Sequence, residues 1–199
     1  MPKRAPAATI TGVNVYLRPP RLSDAVAFRA AVRASTALHR GWTSAPGTPT
    51  RFAGFVNRYA GRGKQPTHAG FLVFRRSDDA LVGVFNFSEI ARGAFQSAFL
   101  GYFAFTPMAG TGLMSEGLAA ALDIAFRQLK LHRVEVNIQP NNVRSLALAT
   151  RMGFTHEGFS RRYVKIGGRW RDHVRFAMLA EDWRVLRKNQ RFAPQAAAR

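Results

Sequence analysis

Between an apolar run ending near Phe105 and a long helical pattern stands Thr106-Pro107-Met108-Ala109-Gly110-Thr111-Gly112-Leu113, the junction that most constrains how this chain folds. Proline halts the strand because it cannot donate to a ladder. The two glycines permit backbone conformations and close approaches that a Cβ forbids. Over residues 113–130 apolar residues recur at helical spacing. Leu118, Leu122, Ala125, Phe126 and Leu129 fall on the predicted buried side, and Asp123 and Arg127 form an i, i+4 pair on the other. A strand that turns on glycines straight into a helix leaves the first helical N–H groups free, which favours an anionic ligand such as pyrophosphate. In isolation an ordinary tight turn reads the same way. The pattern is neither a Walker loop nor a full dinucleotide fingerprint, since the third glycine is missing and no Gly-Lys-Ser/Thr occurs.

Around this junction strands and helices alternate in one piece. Residues 13–17 alternate like a strand and stop at Pro19-Pro20, after which Ser23 is placed to cap a helix to about Ser35. Thr48 and Pro49 open a second helix with Phe52, Phe55, Val56 and Tyr59 on one face, and Gly61 closes it. Residues 71–74 and 81–87 read as a hairpin around Ser77-Asp78-Asp79, and residues 99–105 as a third strand. Residues 132–138 form a strand with Val134, Val136 and Ile138 in period two. Asn141 or Asn142 then caps a helix ended by Gly153. Two last strands, 163–166 and 170–179, flank Gly167-Gly168. The order predicts a single mixed α/β domain over residues 13–183, with a flexible lead at 1–12 and a basic tail at 184–199.

Composition removes several chemistries. The 199 residues contain no cysteine, which excludes disulfides, thiolate zinc sites and a cysteine nucleophile. The five histidines show no metal-ligand spacing and no Gly-x-Ser-x-Gly occurs, so neither a metal site nor a serine hydrolase is expected. No apolar run approaches the ~18 residues of a membrane span, and 1–12 lacks a signal-peptide core; no membrane partner and a cytoplasmic location are expected. The formal charge is +19, with arginine far outnumbering lysine, which suggests an anionic partner: nucleic acid, a ribonucleoprotein such as a ribosome or another polyanion, an acidic membrane face or a phosphorylated cofactor; a merely soluble basic surface reads equally well.

Candidate catalytic groups are few. Asn142 and Ser145 open a helix, where spacing alone favours a cap and a first-turn residue over a proton donor. Glu89 and Glu157 are the carboxylates best placed to reach a central cleft. Glu116 and Asp123 lie within the long helix, explained by helix electrostatics and a surface pair.

Three blocks, LGYFAFTPMAGTGLMSEGL (100–118), NNVRSLALATRMGFTHEGF (141–159) and YVKIGGRWRDHVRFAMLAEDW (163–183), resemble in order those of the GNAT acetyltransferase superfamily. More narrowly they resemble its RimJ/RimL branch of ribosomal-protein-alanine N-acetyltransferases, as does the opening Leu17-Arg18-Pro19 with Ser23-Asp24. The resemblance spans residues 13–183. It implies a mixed, twisted sheet that splays open, flanked by helices, with acetyl-CoA as cosubstrate in the opening. Met108, Ala109, Gly110, Thr111, Gly112, Leu113 and Met114 would hold the pyrophosphate, and Phe103, Ala104 and Phe105 would pair with the pantetheine arm. Asn137 and Asn142 would position that arm, and Ser145 would lie near the sulfur as general acid; the amine proton would go to a base, for which Glu157 and Glu89 are the candidates of this chain, or to an ordered water. The family pattern usually has Arg or Gln where Ala109 stands, Gly or Ala where Met114 stands, and often Tyr where Ala149 stands. The implied function is acetylation of a protein N-terminal α-amine, typically of a ribosomal protein. A small amine or antibiotic as acceptor, or a non-catalytic acyl-CoA- or RNA-binding role, are the alternatives.

Overall fold

The computed structural model describes residues 10–59 and 66–189. One eight-stranded sheet runs in the order β1-β2-β3-β4-β5-β6-β8-β7. Its strands are β1 (Ile10–Thr11), β2 (Val15–Arg18), β3 (Ala69–Arg75), β4 (Leu81–Ala91), β5 (Ser97–Ala104), β6 (Arg133–Ile138), β7 (Thr155–Ile166) and β8 (Arg169–Leu179). All neighbours are antiparallel except β5 and β6. That parallel pair holds register only at Ser97↔Arg133, Ala98↔Val134 and Phe99↔Glu135. Beyond it β5 continues to Ala104 and β6 to Ile138 without pairing to each other, so the sheet splays as expected.

Helices cover both faces. On one lie α1 (Ala25–Ala34), the short α2 (Thr36–His39) and α3 (Pro49–Tyr59); Phe28, Phe52 and Phe55 pack there on Leu72, Phe74, Val84 and Phe105. On the other, α4 (Leu113–Asp123), α5 (Val143–Arg151) and α6 (Ala180–Lys188) bury Leu118, Leu122, Met152 and Trp183 against Val73, Phe85, Val134 and Met178. Gly117 has a packing role here: a Cβ on it would stand 3.0 Å from Phe85 and 3.3 Å from Val73, so α4 sits closer to the sheet than a larger residue allows.

The structure differs from the sequence reading in several places. Ser23 is not a cap: a 3-10 turn, Leu22–Asp24, precedes α1, and the Asp24 carboxylate accepts from the Arg21 N–H at 2.8 Å and from Arg18 at 2.6 and 2.8 Å. A buried carboxylate with a bidentate guanidinium outcompetes a serine hydroxyl as organiser of the turn. Asp123 is buried rather than a surface residue, taking the Trp183 indole N–H at 3.0 Å and Arg187 at 2.8 Å, while Arg127 lies 3.8 Å away. Past Asp123 the helix loosens into a π turn, Ile124–Gln128. β7 begins at Thr155, earlier than its sequence signal. The last helix runs through Lys188, and Leu186 packs on the main core. Ile10 and Thr11 pair with β2. The expected closure of the second helix at Gly61 lies outside the described residues.

Candidate active site

The gap between β5 and β6 opens into a cleft of about 1000 Å³. Residues 101–104 of β5 pair with no strand but β4, so their other edge has no partner strand. Ala109, Gly110, Gly112, Met114 and Ser115 line one end, and Asn141, Asn142, Arg144, Ser145 and Arg151 line the side formed by α5.

The turn before α4 is built as its glycines demand. Gly110 and Gly112 have φ of +85° and +87°, the left-handed region, with nothing within 4 Å of where a Cβ would stand. The Thr111 hydroxyl donates to the Met108 carbonyl at 2.7 Å and pins the turn, whose base is anchored by buried Met108. The N–H groups of Gly110, Gly112, Leu113 and Met114 have no acceptor among the described residues. Arg151 reaches across from α5 and donates to the Ser115 hydroxyl at 3.0 Å, bringing a guanidinium to the same end. These amides and this cation fit an anionic diphosphate.

Further along, Asn142 caps α5, its Oδ1 accepting from the Ser145 N–H at 3.3 Å. The Tyr102 hydroxyl donates to the Ser145 carbonyl at 3.3 Å, and burial pushes its pKa up to about 12, so it stays a proton-bearing phenol. Asn137 lines the cleft, and its Oδ1 is buried with no hydrogen-bond partner among the described residues. With the unpaired β5 edge, it suits an extended, amide-bearing molecule.

Phe103, Ala104, Ala109, Gly110, Gly112, Met114, Asn137, Asn142 and Ser145 thus meet in one cleft. Four other expected cofactor residues do not line it. Phe105 is fully buried against Phe28, and Met108 lies in the core. Thr111 braces the turn, and Leu113 packs against the core.

The two expected catalytic carboxylates are elsewhere. Glu89 is exposed at an irregularity in β4, with φ +49°, and lies 3.7 Å from the His68 imidazole. Glu157 sits at a bulge in β7 and is engaged by both terminal nitrogens of Arg133, one at 2.9 Å, which holds its pKa below the usual carboxylate range. No carboxylate lines the cleft among the described residues.

Two imidazoles line it instead, and their surroundings separate them. His39 donates Nε2–H to the Ala104 carbonyl at 2.8 Å, and its Nδ1 is sealed in the interior. His173 is 3% exposed and donates Nδ1–H to the Arg171 carbonyl at 3.0 Å. A carbonyl partner fixes that tautomer and leaves Nε2 as the acceptor. That atom has no hydrogen-bond partner among the described residues, and the ring lines the cleft. Burial pushes the His173 pKa below the ordinary imidazole value. Period two could place His173 on a strand face with Arg171 and Arg175, but nothing local says that this face borders the opening.

The sequence model of the acetyltransferase (GNAT) domain family matches residues 14–155. A probable N-acetyltransferase of Bacillus subtilis, YjcK, is 39% identical over 127 residues, 64% of this chain and 70% of that protein. The [ribosomal protein uS5]-alanine N-acetyltransferase of Escherichia coli is 38% identical over 130 residues, 65% of this chain and 66% of that enzyme. Among solved structures, Mycobacterium smegmatis RimJ in complex with CoA-disulfide superposes with a TM-score of 0.80 at 26% identity, covering 93% of this chain and 96% of that one.

Proposed function

The chain belongs to the GNAT acetyltransferase family, and from that premise we propose that it uses acetyl-CoA to acetylate the N-terminal α-amine of a protein, a ribosomal protein being the favoured substrate. The observation that carries this reading is a cleft lined by Arg144 and Arg151 and, among the described residues, by no carboxylate. A polyamine or aminoglycoside acceptor brings several positive charges and calls for acidic walls, whereas a peptide brings one amine that must become neutral to react. The relative that acts on uS5 supports the same acceptor class.

Acetyl-CoA supplies a thioester carbonyl carbon and a thiolate leaving group. The amides of the Gly110–Gly112 turn and Arg151 hold its diphosphate, and Asn137 and the β5 edge orient its arm. His173 Nε2 accepts the proton that the acceptor amine sheds as its C–N bond forms. The Ser145 hydroxyl donates a proton to sulfur as the C–S bond breaks, with the Tyr102 phenol hydrogen-bonded to the carbonyl of the same residue. A thiolate is a tolerable leaving group, so Ser145→Ala is expected to lower kcat only about tenfold, below the usual 10²–10⁴ for a general acid, with KM for acetyl-CoA little changed. Undiminished kcat would return Ser145 to a first-turn residue under the Asn142 cap.

One peptide in two forms tests the acceptor. An α-amine has a pKa of about 7.7–8.0 and a lysine about 10.4, so at pH 7 the α-amine is neutral a few hundred times more often. A mild base such as imidazole suffices for the first and serves the second poorly. The form with a free N-terminus and blocked lysine is expected to gain the acetyl mass faster. Faster reaction of the reverse form, or acetylation of small amines alone, overturns the assignment.

A further inference from the structure

We propose that the outer half of the β7–β8 hairpin is a binding surface for single-stranded RNA, a role separate from acetyl transfer. β8 pairs with β6 only as far as Val174↔Ile138, so residues 160–173 project past the sheet as a two-stranded ribbon. An unsupported ribbon ordinarily keeps its surface polar, yet this one exposes Trp170 at 61% and, at its base, Phe159 at 55%, with Tyr163 and Val164 also open. Lys165 stands directly opposite Trp170 on one face, Arg169 and Arg171 lie on the other, and Arg161 and Arg162 sit at the bulge in β7. The one carboxylate of the ribbon, Asp172, accepts the Arg162 N–H at 2.7 Å at a bulge where Arg162 has φ +47°. That carboxylate is therefore engaged within the ribbon.

Charge selects the occupant. A second copy of the chain would set this cationic cluster against its own image, which repels. An acidic peptide satisfies the arginines but leaves the indole without a planar partner. Single-stranded RNA satisfies both, its phosphates meeting the cations and its bases stacking on Trp170. The opposite face of the same ribbon carries Ile166 and His173 into the wall of the cleft, so bound RNA would lie on the far side of the strands that border it.

The test is fluorescence anisotropy of a labelled twelve-nucleotide oligouridylate with the full chain at several salt concentrations. Trp170→Ala is expected to weaken binding about fivefold to a hundredfold, the loss of one stacked base. Arg161→Gln with Lys165→Gln is expected to reduce the salt slope by about 1.4. Arg33→Gln with Arg58→Gln, exposed cations of α1 and α3, controls for net charge and should change binding far less. Trp170 does not line the cleft, so acetylation of a free peptide by Trp170→Ala should match the parent and certify its fold. The proposal is overturned if the control pair weakens binding as much as the hairpin pair, or if Trp170→Ala binds RNA unchanged. Polyglutamate competing as well as RNA overturns it in favour of an acidic protein partner.

Discussion

Replacing His173 with glutamine should cost about 100-fold in kcat while leaving CoA affinity within a factor of two. Glutamine keeps a donor for the Arg171 carbonyl and a similar volume, but it has no basic nitrogen. A positioned general base ordinarily contributes 10²–10⁴-fold, and an α-amine that is partly neutral at working pH places the loss at the lower end. The pH profile separates chemistry from packing. The charged or titratable groups around His173 are Arg171 and Arg175 on the same face of its strand, Asp172 beside it, Tyr163 with its ring 6.0 Å away on β7, and His39, Tyr102, Arg144 and Arg151 in the cleft walls. Desolvation lowers its pKa against the smaller opposing effects of the Arg171 carbonyl and Asp172, so the imidazole stays neutral and competent down to a pH below its usual 6.5. The parent kcat should therefore fall on the acid side with a midpoint under that value, and the variant should lack this limb. The amine's own titration near pH 8 appears in both. An unchanged acid limb, or kcat within threefold of the parent, removes His173 from the chemistry.

Local signals carried the cofactor end of this site, and long-range contacts hid the catalytic end. Gly110 and Gly112 are legible because positive φ is a property of the turn itself, and Asn142 because a cap needs only the next three residues. Where β5 parts from β6 is not legible, since it depends on two strands about thirty residues apart holding three rungs and then diverging. Glu157 was misplaced because the guanidinium that engages it belongs to Arg133. Asp123 read as a surface residue because its burial is made by Trp183 and Arg187, sixty residues on. His173 and Tyr102 lie inside the blocks that carry the family resemblance, but nothing local gives either a role. Each enters the cleft because one face of a strand borders the opening, and period two cannot tell that face from an ordinary one.

The cofactor turn yields the other large effect. Saturating CoA, at about 100 times its dissociation constant, should stabilise the parent by about 2.7 kcal/mol, a rise of roughly 5–11 °C in Tm for a chain of this size. Gly112→Val should erase that shift. Valine is β-branched, and at φ +87° it meets the steric penalty that makes positive φ an outlier for such residues. The space beside Gly112 is empty, so no core contact is crushed. The backbone relaxes instead, and the amides of Gly112, Leu113 and Met114 no longer converge on one anion. Strain alone predicts a lower Tm of the apo protein, at a cost of about 1–3 kcal/mol, and says nothing about CoA. Gly93→Val supplies the comparison: Gly93 has φ +66° and equally open surroundings, but it lies in the β4–β5 turn and outside the cleft lining. It should lose stability similarly and keep the full CoA shift. If both variants keep the shift, the anion is held by side chains such as Arg151 and not by the turn; if the parent shows none, the cleft does not take CoA.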